Sequence, residues 1–251
     1  MATISREEWN KYIATLRKLN EKAAMEIVGF MRNKLLHDDT SNAVETLTDI
    51  QRKELIDYAY AIVTKYGEAT AALSAEMYDA VAILEGAYLA PAELAPLATY
   101  GDVAKAVNGT LLQSQNVEEI ASAAVRWVKM AGADTTLQNA VRDKAEFAWI
   151  PRGETCAFCL TLASRGWQTA SKKILKDGHA EHIHSNCDCQ YTVRHNDRMT
   201  VEGYDPDKYL SMYRHAEGRT PTDKINSMRR AAHAADKPTQ GADNEGLISV
   251  N

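Results

Sequence analysis

Four cysteines and one histidine carry the clearest chemical signal in this sequence. Cys156 and Cys159 form a C-x-x-C pair, and Cys187 and Cys189 form a C-x-C pair shortly after it. His184 precedes the second pair at H-x-x-C spacing. Thiolate sulfur and imidazole nitrogen are the ligands that Zn²⁺ takes in tetrahedral structural sites. The pattern therefore predicts one structural zinc ion.

Five side chains compete for the four places of such a site, and the spacing leaves the choice open. An all-cysteine set and a set of three cysteines with His184 are both consistent with it, because a C-x-C pair does not always chelate one ion comfortably. Three other interpretations of the cysteines remain open as well: a redox C-x-x-C pair, two structural disulfides, or four buried thiols without metal.

A catalytic zinc ion would need an open coordination position beside a general base. Glu154 and Glu181 are the carboxylates that would serve as that base. The sequence contains no H-E-x-x-H, and its order of His and Cys motifs is the reverse of the deaminase pattern. It also lacks a P-loop, a G-x-G-x-x-G and a G-x-S-x-G. We therefore expect no catalytic residues and no enzymatic activity.

Composition and charge narrow the class of protein further. Lys and Arg number 29 against 34 Asp and Glu, a formal net charge of −5, which argues against nucleic-acid binding driven by bulk charge. No apolar run is long enough to cross a bilayer, and the N-terminus has no basic region followed by an apolar run. We expect a protein that stays where it is made, or in a particle assembled there.

Helical signals fill the first half of the chain. Three helix starts are recognisable from their capping residues: Ser5 with Glu8, Thr48 with Gln51, and Asn116 with Glu119. Apolar residues follow each start at helical spacing. The third helix is predicted to end near Gly132, because glycine punctuates helices, and a separate helix is predicted over residues 135–146.

Short strands replace the helical pattern after residue 146. One strand begins at Phe147 and a second covers residues 190–194, with the Cys and His residues beside and between them. We predict a mainly α fold in three parts. These parts are a helical domain over 1–145, a small α+β Cys/His-rich, zinc-knuckle-like module over 146–215, and a polar, partly disordered tail over 216–251 with a helical piece near its start.

Three blocks of the Cys/His region resemble a known family. They are Gly-Glu-Thr-Cys-Ala-Phe-Cys over residues 153–159, Leu-Ala-Ser-Arg-Gly over 162–166, and His-Ser-Asn-Cys-Asp-Cys over 184–189. In order and spacing they resemble the C-terminal motif of the MuF-type minor head proteins of tailed bacteriophages. The layout of a long helical region before a small Cys/His module is similar too, although more loosely.

The resemblance implies a structural role. Proteins of that family are low-copy internal components of the phage head, associated with the portal, and act by contact in head assembly, genome packaging or ejection. For this chain it implies a minor capsid protein located inside the phage head, and in the host cytoplasm during assembly. The implied partners are the portal protein, the scaffold and the major capsid protein, with contact to packaged DNA left open and no membrane partner.

Two alternatives belong to other functional classes. The first is a zinc-dependent hydrolase or nuclease, or a toxin-like enzyme, carried in the phage head. An open metal position beside a carboxylate would distinguish it. The second is a zinc-knuckle nucleic-acid-binding protein, which should show a basic stripe, whereas only Lys172, Lys173 and Lys176 cluster in this sequence.

Overall fold

Long helices dominate the chain, which confirms the mainly α fold class. The computed structural model describes residues 2–38, 40–44, 46–151, 157–173 and 189–235. The first four helices are α1 (Arg6–Phe30), α2 (Asp49–Leu84), α3 (Tyr100–Gln113) and α4 (Val117–Arg142). A π-helical segment, Met31–Leu36, continues α1. The zinc-knuckle-like module and the polar tail stay predictions, because much of each lies outside the described residues.

The predicted capping residues begin the helices that the sequence assigns to them. Ser5 Oγ accepts the N–H of Glu8, while the Glu8 carboxylate accepts the N–H of Ser5 at 3.0 Å. Thr48 and Gln51 repeat this exchange at the start of α2, and Asn116 accepts two N–H groups of the first turn of α4. Each cap satisfies backbone donors that have no partner inside their helix.

The predicted break at Gly132 is wrong, because α4 runs through it as one helix of 26 residues. A Cβ at this position would lie 2.6 Å from Ser74 Oγ and 2.9 Å from Thr70 Cγ2, both on α2. The missing side chain is what lets α4 approach α2 so closely. Close packing of two helices, rather than a turn, accounts for this glycine.

An extended segment without helix or strand, residues 87–99, connects α2 to α3, and we call it the strap. Side chains of α2 and α4 hold its backbone. Three of its N–H groups are bound in this way: Ala92 by Asp79 Oδ1 at 2.9 Å, Glu93 by Asn139 Oδ1 at 2.9 Å, and Ala95 by Thr135 Oγ1 at 3.1 Å. The strap is therefore fixed along the two longest helices.

The strands form two small sheets. Their bounds are β1 (Thr3–Ile4), β2 (Glu146–Ile150), β3 (Gln168–Thr169), β4 (Gln190–Arg194) and β5 (Thr200–Val201). β2 lies between β3 and β4 and is antiparallel to both, with Phe147 opposite Val193 and Trp149 opposite Tyr191. Both predicted strands are thus confirmed. β1 pairs in parallel with β5, which joins the start of the chain to the residues after the cysteine region.

Three shorter helices complete the described chain: α5 (Ala157–Ala163), α6 (Pro206–His215) and α7 (Pro221–Ala235). The last of them is the helical piece that the sequence predicts. α5 packs against β2, α6 and α7. α6 has no fully buried residue, and Met228 is the buried side chain among those described on α7. α6 and α7 therefore lie at the periphery.

The buried apolar side chains form two clusters. The distal cluster joins the second half of α1, the first half of α2, α3 and the first half of α4. The basal cluster joins the start of α1, the ends of α2 and α4, the three-stranded sheet and α5. The basal cluster consequently contains side chains from both sides of residue 146.

Candidate functional site

Two of the five predicted zinc ligands are described, and both lie in the basal cluster. Cys159 lies on α5 and is completely buried, while Cys189 directly precedes β4 and is 6% exposed. Because α5 packs on β2 and β4 pairs with β2, the strand β2 connects the elements that carry the two thiols. Burial beside a sheet suits the sulfur ligands of a closed structural site.

The other three predicted ligands, Cys156, His184 and Cys187, lie outside the described residues. The same holds for Glu154 and Glu181, the carboxylates named for a catalytic zinc ion. Within the described ranges, no group of three or more His, Cys, Asp or Glu side chains is arranged to hold a metal ion. The zinc site and the choice of its four ligands therefore stay predictions.

Aromatic side chains belong to the same buried cluster as the two described cysteines. Trp149 and Phe147 on β2 pack edge-on against Tyr191 on β4, with ring centroids 4.6 and 5.5 Å apart. Tyr204 donates from its hydroxyl to the carbonyl of Ala163 at 2.9 Å, which secures the end of α5. The two described cysteines thus lie beside a well-packed sheet.

An ion pair joins the start of β2 to the end of β4 in the same sheet. Arg194 Nε donates to the Glu146 carboxylate at 2.6 Å, and its guanidinium lies 4.8 Å from the centre of the Trp167 ring. Gly166, in the turn after α5, has a φ of +65° that favours glycine. This turn brings the chain from α5 back to β3.

A second group of polar side chains, which the sequence did not predict, lies where the helices meet the sheet. Tyr78 on α2 donates to Asp143 Oδ2 at 2.8 Å, and Arg142 donates to both oxygens of Asp143 at 2.8 and 2.7 Å. Arg142 also donates to the strap carbonyls of Ala90 and Pro91 at 3.0 Å each. The hydrogen bonds from Arg142 hold the pKa of Asp143 below its usual value.

His195 and Glu85 complete this group. The Glu85 carboxylate, at the end of α2, accepts the backbone N–H of His195 at 2.6 Å, and burial raises its pKa. The His195 ring packs edge-on to Tyr78 with centroids 5.4 Å apart. Its two ring nitrogens are buried and have no hydrogen-bond partner in the part of the chain described. Burial lowers the pKa of His195, so the neutral ring is favoured.

We call these five side chains, Tyr78, Glu85, Arg142, Asp143 and His195, the polar joint. They come from the end of α2, the end of α4 and the turn after β4. Arg142 also connects this group to the strap through its hydrogen bonds to the strap carbonyls. Four of the five are hydrogen-bonded to protein atoms, which suits a structural connection between the helices and the sheet. No spacing in the sequence could have found the group, since most of its contacts join residues far apart in the chain.

Comparison with known proteins places the chain in a family. It belongs to the VG15 protein family, a family of phage virion-associated proteins, whose model matches residues 3–216. The match extends from β1 to the end of α6 and stops before α7. No curated protein and no solved structure matches the chain. The prediction of a phage protein is thereby confirmed.

Among the residues that the structure describes, no helix is both long enough and apolar enough to cross a bilayer.

Proposed function

We propose that this chain is a minor head protein of a tailed phage, a low-copy internal component associated with the portal. In this role it contacts the portal protein, the scaffold and the major capsid protein during head assembly, genome packaging or ejection. The observation that carries the proposal is the match of residues 3–216 to a family of phage virion-associated proteins. The three sequence blocks that resemble the MuF-type motif support the finer assignment.

We further propose that the protein acts by contact and not by turnover. The arrangement of its buried polar groups supports this. Asp143 accepts hydrogen bonds from Arg142 and Tyr78, and Glu85 accepts one from the backbone N–H of His195, so both carboxylates connect parts of the fold. The long helices offer extended surfaces for protein partners.

We also propose that the chain holds one structural Zn²⁺ through four of the five side chains Cys156, Cys159, His184, Cys187 and Cys189. The burial of Cys159 and Cys189 beside the sheet supports a closed site. A bound zinc ion would add its binding free energy to the folding of this region. The chain's own contribution is the aromatic and aliphatic packing of β2 and β4, which would hold the described thiols in place.

The test uses a phage that lacks this gene and is complemented in trans with the wild-type chain or with variants. Head shape and infectivity are measured. We expect heads of normal shape with reduced infectivity, because a low-copy internal protein does not set lattice geometry. Glu154→Gln and Glu181→Gln should complement as well as wild type. Unchanged infectivity without the gene contradicts the proposed role. Loss of function in either Gln variant, with zinc still bound, favours the hydrolase instead.

A further inference from the structure

Five of the ten large apolar side chains that are exposed in the described part of the chain lie at the end of α2 and in the strap. Their exposed fractions are 78% for Ile83, 47% for Leu84, 104% for Tyr88, 38% for Leu89 and 51% for Leu94. Ile83 lies one helical turn after Asp79, which binds the strap backbone, so the helix and strap portions adjoin. Exposed apolar side chains grouped in this way mark interaction sites. We call them the strap patch.

The strap patch is presented on a fixed backbone. The strap N–H groups of Ala92, Glu93 and Ala95 are bound by α2 and α4, and Arg142 binds two strap carbonyls. Arg142 is in turn bound to Asp143. A partner that docks here would not have to order a loose loop, which removes a large entropic cost of binding. Rigid, exposed tyrosine is also typical of interface anchors.

Acidic side chains dominate the charge around the strap patch, although Arg142 on α4 also reaches the strap. Residues 66–104 contain six Asp and Glu and no Lys or Arg. Glu76, one turn before Asp79, and Glu93, within the strap itself, are both exposed. Like charges at the rim of an interface select a partner of opposite sign. The partner of this surface should therefore be apolar with a basic rim.

A surface of that kind exists on the same chain. Residues 206–235, which form α6, α7 and the turn between them, carry six Lys and Arg and three Asp and Glu. Arg214, Arg219, Arg229 and Arg230 are exposed, and none forms an ion pair with another residue that the structure describes. Met212 adds an exposed apolar side chain on α6. We call this region the basic hairpin.

We propose that the strap patch binds the basic hairpin of a second copy of this chain. Charge complementarity between the two surfaces carries the choice of partner. Because the two surfaces differ, the contact is head-to-tail, and an open assembly keeps one free strap patch at one end and one free hairpin at the other. This inference concerns self-association of the chain and does not depend on the proposed role in the phage head.

The first test is the oligomeric state of the purified full chain by light scattering at low and high ionic strength. We expect self-association at low salt that weakens as salt screens the charges at the rim. Tyr88→Ser should abolish association at both ionic strengths, because it removes the largest exposed anchor. Leu112→Ser is the matched control, since Leu112 is 85% exposed but lies on α3, and it should associate like wild type.

A charge-swap experiment identifies the partner surface. The strap variant carries Glu76→Arg and Glu93→Arg, and the hairpin variant carries Arg229→Glu and Arg230→Glu. Each variant alone should be monomeric, because its strap and its hairpin now have the same sign. Mixed together they should associate again, with an affinity within about tenfold of wild type, since both possible contacts are once more between opposite charges.

Three results would overturn the inference. The first is a monomeric wild-type chain at low salt. The second is self-association that Tyr88→Ser leaves intact. The third is a mixture of the two charge-swap variants that stays monomeric. If the mixture stays monomeric while the hairpin variant alone loses affinity for a DNA duplex, the hairpin's partner is nucleic acid and not a second strap patch.

Discussion

The distal and basal clusters are both well buried, yet they are built in different ways. The distal cluster consists of apolar side chains of α1, α2, α3 and α4 and follows from helical spacing. The basal cluster needs β1 at residue 3, the ends of two helices, and strands as far along the chain as residue 201. It also adjoins the polar joint and includes two cysteines. The distal cluster is therefore set by the local pattern of apolar residues, whereas the basal cluster is set by contacts between residues far apart in the chain.

The largest expected effect comes from removing a large side chain of the basal cluster. Phe147→Ala should cost about 3–5 kcal/mol, because Phe147 is completely buried between the sheet and the helices. Hydrogen exchange should show the loss of protection first in β2, β4 and α5. Ile120→Ala is the matched change in the distal cluster and should expose α3 first. If both variants lost hydrogen-exchange protection equally across the whole molecule, the distinction between the distal and basal clusters would be wrong.

Removal of the proposed zinc ion should lower the stability of the basal cluster and leave the distal cluster unchanged. A chelator should reduce protection of β2 and β4 and leave α3 unchanged, because the distal cluster contains no predicted ligand. Cys159→Ser should mimic this effect and make the protein insensitive to the chelator. A fully protected, metal-free wild-type protein would refute the metal site, and elemental analysis would report the zinc content directly.

Substitution of one glycine tests how closely α2 and α4 approach each other. Gly132→Ala should destabilise the protein by about 1–3 kcal/mol, because its Cβ would meet Ser74 Oγ at 2.6 Å. Gly109→Ala on α3 is the control: a Cβ there has no neighbour within 4 Å, so the change should stabilise by about 0.5–1 kcal/mol. Thermal unfolding of both variants measures the difference. A neutral Gly132→Ala would contradict the close crossing.

A smaller effect should come from the polar joint. Tyr78→Phe removes the hydrogen bond to Asp143 and should cost about 1 kcal/mol, since the ring stays packed. Tyr88→Phe removes a hydroxyl from a fully exposed ring and should leave the unfolding temperature unchanged. If the two substitutions change the unfolding temperature equally, the hydrogen bond of Tyr78 adds no stability beyond the packing of the Tyr78 ring.

The smallest effect is a pH dependence that His195 confers. Burial lowers the pKa of His195 in the folded state, so the unfolded chain binds more protons near and below the ordinary histidine value of about 6.5. Stability should therefore fall as the pH drops through that value, and His195→Asn should flatten the curve. Glu85, Asp143, Arg142 and Tyr78 are the polar groups around the ring. His215→Asn on the exposed end of α6 should keep the wild-type pH dependence.

The sequence predicted the local features well. Ser5, Thr48 and Asn116 begin their helices because capping depends on residues three positions apart. The strands at Phe147 and at residues 190–194 were recognisable from local pattern as well. Membership of a phage protein family agrees with the resemblance carried by the cysteine blocks.

The contacts between distant parts of the chain were not predictable in the same way. Gly132 indicated a helix end, but its role is set by Ser74 on another helix. The pairing of β1 with β5 and the bond from Tyr78 to Asp143 join residues that no spacing rule connects. Tyr88 lies in the strap, after α2 has ended at Leu84, so helical spacing does not determine the exposure of its side chain.

We propose that this chain is a low-copy component inside the phage head, and quantitative mass spectrometry of purified particles is the direct test. We expect peptides of this chain in DNA-filled particles, far below the abundance of the major capsid protein and protected from external protease until the head is opened. A chain that is abundant in infected cells but absent from purified particles would contradict it, as would one present at the copy number of the major capsid protein.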